Sequence, residues 1–67
     1  MATEIHSSAI VDPNSELDSG VVVGPYAIIE KGAKVGRDTE VAAHAIIKGA
    51  ARIGERGRIG HFSVIGG

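Results

Sequence analysis

Residues 23–41 read VGPYAIIEKGAKVGRDTEV, and from Val23 onward an aliphatic side chain returns at every sixth position. The same spacing extends from Ile5 to Ile65, and every residue in this series is Ile, Val or Leu. An α-helix repeats about every 3.6 residues and an isolated strand about every two. A period of six therefore indicates a short strand followed by a tight turn, repeated along the whole chain.

A second position of each six-residue unit, or hexad, accepts only small side chains. With the aliphatic residue as position one, position five holds Ala, Ser, Thr or Gly in every hexad except the one that contains Val21. Alternate residues of a strand share a face, so positions five and one point inward and position six points outward. Positions two to four form the turn. Proline at position three, with Asn14, Gly32 and Asp38 at position four, favours type II turns in which position four has a positive φ.

Three hexads make one triangular coil of 18 residues, so residues 5–67 predict about three and a half coils of an all-β parallel helix. The predicted single domain spans residues 1–67, which is a marginal length for an independent hydrophobic core. The sequence contains no cysteine that could add a disulfide. Because the chain stops part-way through a hexad, we expect a truncated domain.

The coil period sorts the outward residues at position six onto three faces, of which one is apolar and two are mostly charged. Tyr26, His44 and Phe62 occupy position four beside the apolar face. An exposed apolar column indicates an interface, and homo-oligomers usually close with cyclic symmetry. The alternative is a surface stripe that no partner covers. The predicted oligomer interface consists of Ile10, Ile28, Ile46, Val64, Tyr26, His44 and Phe62.

Four segments, in this order and spacing, resemble the N-terminal part of a bacterial enzyme family. They are residues 5–11 (IHSSAIV), 23–28 (VGPYAI), 44–49 (HAIIKG) and 62–66 (FSVIG). The family is that of the acyl-carrier-protein–UDP-N-acetylglucosamine O-acyltransferases of lipid A biosynthesis, which belong to the hexapeptide-repeat superfamily. The resemblance implies a left-handed parallel β-helix, whereas parallel crossovers in general are right-handed.

The same resemblance implies a cytoplasmic homotrimer with active sites between subunits. It implies transfer of a (3R)-hydroxyacyl chain from acyl carrier protein to the 3-hydroxyl of UDP-N-acetylglucosamine, with a histidine as general base. In the family, that histidine and the substrate contacts come from beyond position 67. We therefore assign no catalytic, cofactor or metal residue and expect this chain alone to be a non-catalytic, self-assembling structural module. The alternative is a piece or member of another hexapeptide acyl- or acetyltransferase that retains ligand binding.

Three histidines are the obvious catalytic candidates, and each has a structural alternative. His6 lies near the N-terminus, where a turn or solvated role suffices, and His44 lies beside the apolar face, where it could pack or bind a ligand. His61 precedes Phe62 and admits both interpretations. The gaps between the histidines are 38 and 17 residues, so no close pair predicts a zinc site of the kind found in γ-class carbonic anhydrases, which share this fold.

Charge is unevenly distributed, although the net charge is only −1. Residues 1–30 carry five acidic and no basic side chains, whereas residues 31–67 carry seven basic and three acidic ones. The small net charge and the absence of a long apolar run give no indication of nucleic-acid binding or membrane insertion. The asymmetry, together with strand edges at the ends of a solenoid, predicts end-to-end stacking of copies that salt weakens.

Three arginines and one glycine-rich segment suggest binding sites, but each also has a purely structural explanation. Arg52, Arg56 and Arg58 could bind an anion or a carrier protein, but solvated surface explains them equally. Residues 54–60, GERGRIG, superficially suggest a phosphate-binding loop. The hexad period already accounts for these glycines.

Overall fold

The computed structural model describes residues 3–66 as a solenoid of eleven two-residue strands. Each strand joins position six of one hexad to position one of the next, and four residues separate successive strands. The strands are β1 (Glu4–Ile5), β2 (Ile10–Val11), β3 (Glu16–Leu17), β4 (Val22–Val23), β5 (Ile28–Ile29), β6 (Lys34–Val35), β7 (Glu40–Val41), β8 (Ile46–Ile47), β9 (Arg52–Ile53), β10 (Arg58–Ile59) and β11 (Val64–Ile65). No helix capable of crossing a membrane occurs among the described residues.

The strands form three parallel sheets, because each pairs with the strand three positions later in the chain. We call β2, β5, β8 and β11 the apolar sheet, β1, β4, β7 and β10 the first charged sheet, and β3, β6 and β9 the second charged sheet. The ladder joins adjacent coils; for example, the Ile10 N–H donates to the Ala27 carbonyl at 2.8 Å. This architecture confirms the all-β prediction and fits a left-handed parallel β-helix.

Position five lies just before each strand rather than inside it, which corrects the predicted strand boundary by one residue. Its carbonyl still joins the ladder, as Ala27 does, and its side chain still faces the interior. In the central coils this position is buried together with the large aliphatic side chains of position one. The buried hydrophobic core contains Val21, Val23, Ala27, Ile29, Ala33, Val35, Val41, Ala45, Ile47 and Ile59.

Thr39 is the buried polar residue of this core, with no exposed surface. Its hydroxyl donates to the Gly54 carbonyl at 2.7 Å and accepts the Gly57 N–H at 3.2 Å. A buried hydroxyl without partners would destabilise the fold, and here the hydroxyl both donates and accepts a hydrogen bond. One side chain thus links a coil to the turn of the coil above it.

Most turns follow the predicted geometry. Position four has a positive φ in every hexad from Gly20 to Phe62. Asn14 is the exception among the predicted positions, since it has no positive φ. Its N–H donates instead to Asp12 Oδ1 at 2.8 Å, and the Ser15 N–H donates to the Asp12 carbonyl at 2.9 Å. The Asp12 carboxylate therefore stabilises a different turn, which corrects the type II prediction at this corner.

Candidate assembly surface

The outward side chains of the apolar sheet form a continuous apolar column. Strand register places Ile10 opposite Ile28, Ile28 opposite Ile46, and Ile46 opposite Val64. Ile10 is 64% exposed and Val64 is 59% exposed, while the two residues between them are half-buried. Coils stack about 4.8 Å apart, so the branched side chains cover one another only in part and present a ridge to solvent. We refer to these four residues as the apolar column.

Beside the apolar column, three aromatic rings stack at the corner between the first charged sheet and the apolar sheet. The centroids of Tyr26 and His44 are 5.2 Å apart with an interplanar angle of 15°, and those of His44 and Phe62 are 5.0 Å apart at 9°. Tyr26 is 62% exposed and Phe62 is 76% exposed. We call these three residues the aromatic corner. The structure thus brings all seven predicted interface residues onto one side of the solenoid.

The aromatic corner is built on strained backbone. Tyr26, His44 and Phe62 have φ values of 60°, 62° and 59°, a region that costs L-residues roughly 1–2 kcal/mol each. Hydrogen bonds between coils hold this conformation; the His44 N–H donates to the Pro25 carbonyl at 3.0 Å. Glycine would adopt the same φ without this cost, which Ala50 and Arg56 also bear at the other corners.

The first coil has serine where the next three coils have rings. The Ser8 hydroxyl lies 2.7 Å from His6 Nδ1, and the Ser8 N–H donates to the same nitrogen at 3.1 Å. Because Nδ1 accepts this N–H, it carries no proton, and the hydroxyl also donates to it. The Tyr26 N–H in turn donates to Ser8 Oγ at 3.1 Å. Since no carboxylate among residues 3–66 bonds to His6, we interpret this serine–histidine pair as a turn cap rather than part of a catalytic triad.

The three histidines do not form a site together. His44 is in the ring stack, His6 caps the first turn, and His61 is exposed in the last turn. Within the described part of the chain, no group of three or more His, Asp or Glu side chains could hold a metal ion. His44 is therefore the histidine that the structure places in the predicted interface.

The candidate anion-binding arginines are dispersed. Arg52 lies on the second charged sheet and Arg58 on the first, where it pairs with Glu40 at 3.3 Å. Arg56 lies in the turn between them, and its N–H donates to the Arg37 carbonyl at 2.7 Å. These arginines therefore face different directions. Two amides of residues 54–60 are also engaged, because the Arg56 N–H donates to the Arg37 carbonyl and the Gly57 N–H donates to the Thr39 hydroxyl.

The charged sheets carry exposed ion pairs instead of an apolar column. Lys34 Nζ lies 3.3 Å from Glu16, and these side chains are 54% and 71% exposed. In the turns between the two charged sheets, Arg37 approaches Glu55 at 3.4 Å. Exposed pairs of this kind each contribute about 0–1 kcal/mol. These surfaces are typical of solvated faces and contrast with the apolar column.

The hexad sequence, the three parallel sheets and the two-residue strands define the protein as a hexapeptide-repeat β-solenoid. More narrowly, it is homologous to a segment of the acyl-(acyl-carrier-protein)–UDP-N-acetylglucosamine O-acyltransferases, as the four sequence segments predicted. No family model matches the chain.

Three curated relatives, all bearing this enzyme name, illustrate the match. The relative from Thermodesulfovibrio yellowstonii is 44% identical over 63 residues, which is 94% of this chain. The relative from Syntrophobacter fumaroxidans is 43% identical over 94% of the chain, and that from Saccharophagus degradans is 39% identical over 96%. The chain spans about a quarter of the length of these relatives (24%, 24% and 25%).

Proposed function

We propose that this chain is the β-helix assembly segment of a UDP-N-acetylglucosamine acyltransferase and, alone, a non-catalytic module that forms a homotrimer. The apolar column and the aromatic corner would form the contact between copies. The observation that carries this proposal is the unbroken apolar column on one sheet, beside strained and stacked rings. The position-six side chains of the other two sheets are charged except for Val22.

The size of the solenoid also favours association. Ile10 and Val64 are more than half exposed, and fully burying such a side chain contributes about 1.5–3 kcal/mol. A domain of this length has a small core, so burial against further copies would add substantially to its stability. Closed cyclic symmetry would cover the same column in every subunit and leave none exposed.

For the whole enzyme, the relatives' name supports acyl transfer from acyl carrier protein to UDP-N-acetylglucosamine. We infer that the transferred group is a (3R)-hydroxyacyl chain, that the acceptor is the sugar 3-hydroxyl, and that the reaction serves lipid A biosynthesis in the cytoplasm. The general base and the substrate contacts are assigned to parts of the enzyme outside this segment. The segment itself supplies the assembled scaffold.

Molar mass measured by size-exclusion chromatography with light scattering, across protein concentration, tests the assembly. We expect a trimer for the wild type and a single chain for Ile46→Glu, because the new carboxylate would lose water in the contact. Arg52→Glu is the matched control, since it places the same side chain at position six of another face. If the wild type is a single chain, or if both variants retain its mass, the interface assignment is wrong.

A titration with UDP-N-acetylglucosamine and an acyl-transfer assay test the second half of the proposal. We expect no transfer by the isolated chain. Transfer that persists through rigorous purification would show that the segment is itself an enzyme. Binding without transfer would favour a ligand-binding module instead.

A further inference from the structure

His44 is the one imidazole side chain of the proposed contact surface. Its ring lies between Tyr26 and Phe62, with centroid distances of 5.2 Å and 5.0 Å. Imidazole side chains gain a proton between about pH 8 and about pH 5, which makes them natural pH-sensitive groups. Assembly through apolar contacts alone would not need such a group at the centre of the stack.

The groups around His44 offer little compensation for a positive charge. On the apolar sheet its neighbours are the aliphatic side chains of the apolar column. On the first charged sheet, Glu40 already pairs with Arg58 at 3.3 Å. The adjacent turns contribute the Tyr26 phenol and the exposed imidazole of His61. Among residues 3–66, no hydrogen bond or ion pair joins a carboxylate to the His44 ring.

We propose that protonation of His44 weakens the assembly, so that the aromatic corner acts as a pH-sensitive contact between copies. In the separate chain, an imidazolium is hydrated at its edges and attracted to the two ring faces. Assembly would keep the ring contacts but remove the water, so nothing new would offset the cost of burying an unpaired charge. This inference rests on the proposed assembly surface.

Proton linkage determines whether the assembly strengthens or weakens as the pH falls. Since the charged form is favoured in the separate chain, dissociation takes up protons. The assembly is therefore strongest at a pH where imidazole side chains are neutral and weakens as the pH falls into the range where they gain a proton. Stability of the fold need not change over the same range, because the ring is on the surface of each chain.

The test compares wild type with His44→Phe by light scattering and sedimentation at about pH 8 and about pH 5.5. We expect the wild-type dissociation constant to rise about tenfold or more at the lower pH, because each chain takes up a proton on dissociation. His44→Phe retains a stackable ring without a titrating nitrogen. We expect it to assemble equally at both pH values.

Two further variants and one spectroscopic measurement separate the possible outcomes. His6→Gln and His61→Gln should keep the wild-type pH response, and circular dichroism at each pH distinguishes dissociation from unfolding. The inference is overturned if the dissociation constant of the wild type does not change with pH, or if the pH response persists in His44→Phe. Either result leaves the assembly proposal intact. A wild type that is a single chain at every pH overturns both.

Discussion

The apolar sheet and the second charged sheet have the same backbone and opposite surfaces. Both present position six to solvent and position one to the core, and both pair in parallel register at intervals of 18 residues. One has Ile28 at position six where the other has Lys34. Positions one and five therefore specify the solenoid, whereas the side chain at position six can vary with the function of each face.

The turns differ in a similar way between corners. The corner after the second charged sheet has Gly20, Asp38 and Arg56 at position four, whereas the next corner has the stacked rings. All six residues have a positive φ, whereas Ser8, below the first ring, does not. Glycine tolerates this conformation and aspartate often adopts it, but bulky aromatic residues rarely do. Tyr26 and Phe62 therefore carry backbone strain beside the proposed contact, as Arg56 does at the corner before it.

Replacing adjacent isoleucines tests the division between core and surface most severely. Ile29→Ala should lower the free energy of unfolding by about 2–5 kcal/mol, because it leaves a cavity in the core; Ile29 is 1% exposed. Ile28→Ala, one residue earlier and half-buried, should cost far less and instead weaken assembly. Urea denaturation at one fixed protein concentration, with molar mass recorded, measures both effects. Equal losses in the two variants would contradict the assignment of faces.

A smaller effect is expected at the polar residue of the core. Thr39→Val should cost about 1–3 kcal/mol, because the Gly54 carbonyl and the Gly57 N–H would lose their shared partner. Thr39→Ser keeps the hydroxyl and should retain the part of the stability that depends on it. The same denaturation experiment compares them. If valine is as stable as serine, the hydroxyl bridge contributes nothing measurable.

Backbone strain can be measured at two neighbouring alanines. Ala50 has a φ of 65°, so Ala50→Gly should raise the free energy of unfolding by about 1 kcal/mol. Ala51 lacks a positive φ, so Ala51→Gly should lower it by about 0.5–1 kcal/mol. Thermal or urea unfolding gives the sign in each case. Destabilisation by both substitutions would argue against strain at position four.

The smallest effect is expected on the charged surface. Glu16→Gln removes the ion pair with Lys34, whose partners are both more than half exposed. The free energy of unfolding should change by less than about 1 kcal/mol. Unfolding measured at low and high salt checks this. A loss comparable with that of Ile29→Ala would mean that the charged columns hold the fold together.

Periodicity predicted the interior well because the narrow prism admits one arrangement of side chains. Even Val21, the large residue at a small position, is fully buried; its column continues with the smaller Thr39 and with Gly57. The column of rings was also predictable, since the coil period alone places His44 between its neighbours. The assembly of copies, through this surface or end to end, stays a prediction.

Two features could not be predicted from the period. At Asn14 the Asp12 carboxylate accepts the backbone N–H, and this local hydrogen bond stabilises a turn that has no positive φ. The face-to-face stacking of Tyr26, His44 and Phe62 depends on how the rings are oriented, which a repeat of residue types does not specify. In both cases the outcome depends on a particular side chain, whereas a repeat pattern describes only what the turns have in common.

The in-register pairing has a consequence for how such a chain could lengthen or shorten. Duplicating 18 residues would add one coil and keep every outward column on its original face, because strands pair at that interval. Duplicating only six would preserve the solenoid but transfer each downstream column to the next face. The apolar column would then be interrupted, although the core remained intact. An insertion of any whole number of hexads would therefore preserve the fold, whereas only an insertion of whole coils would also preserve the surface columns.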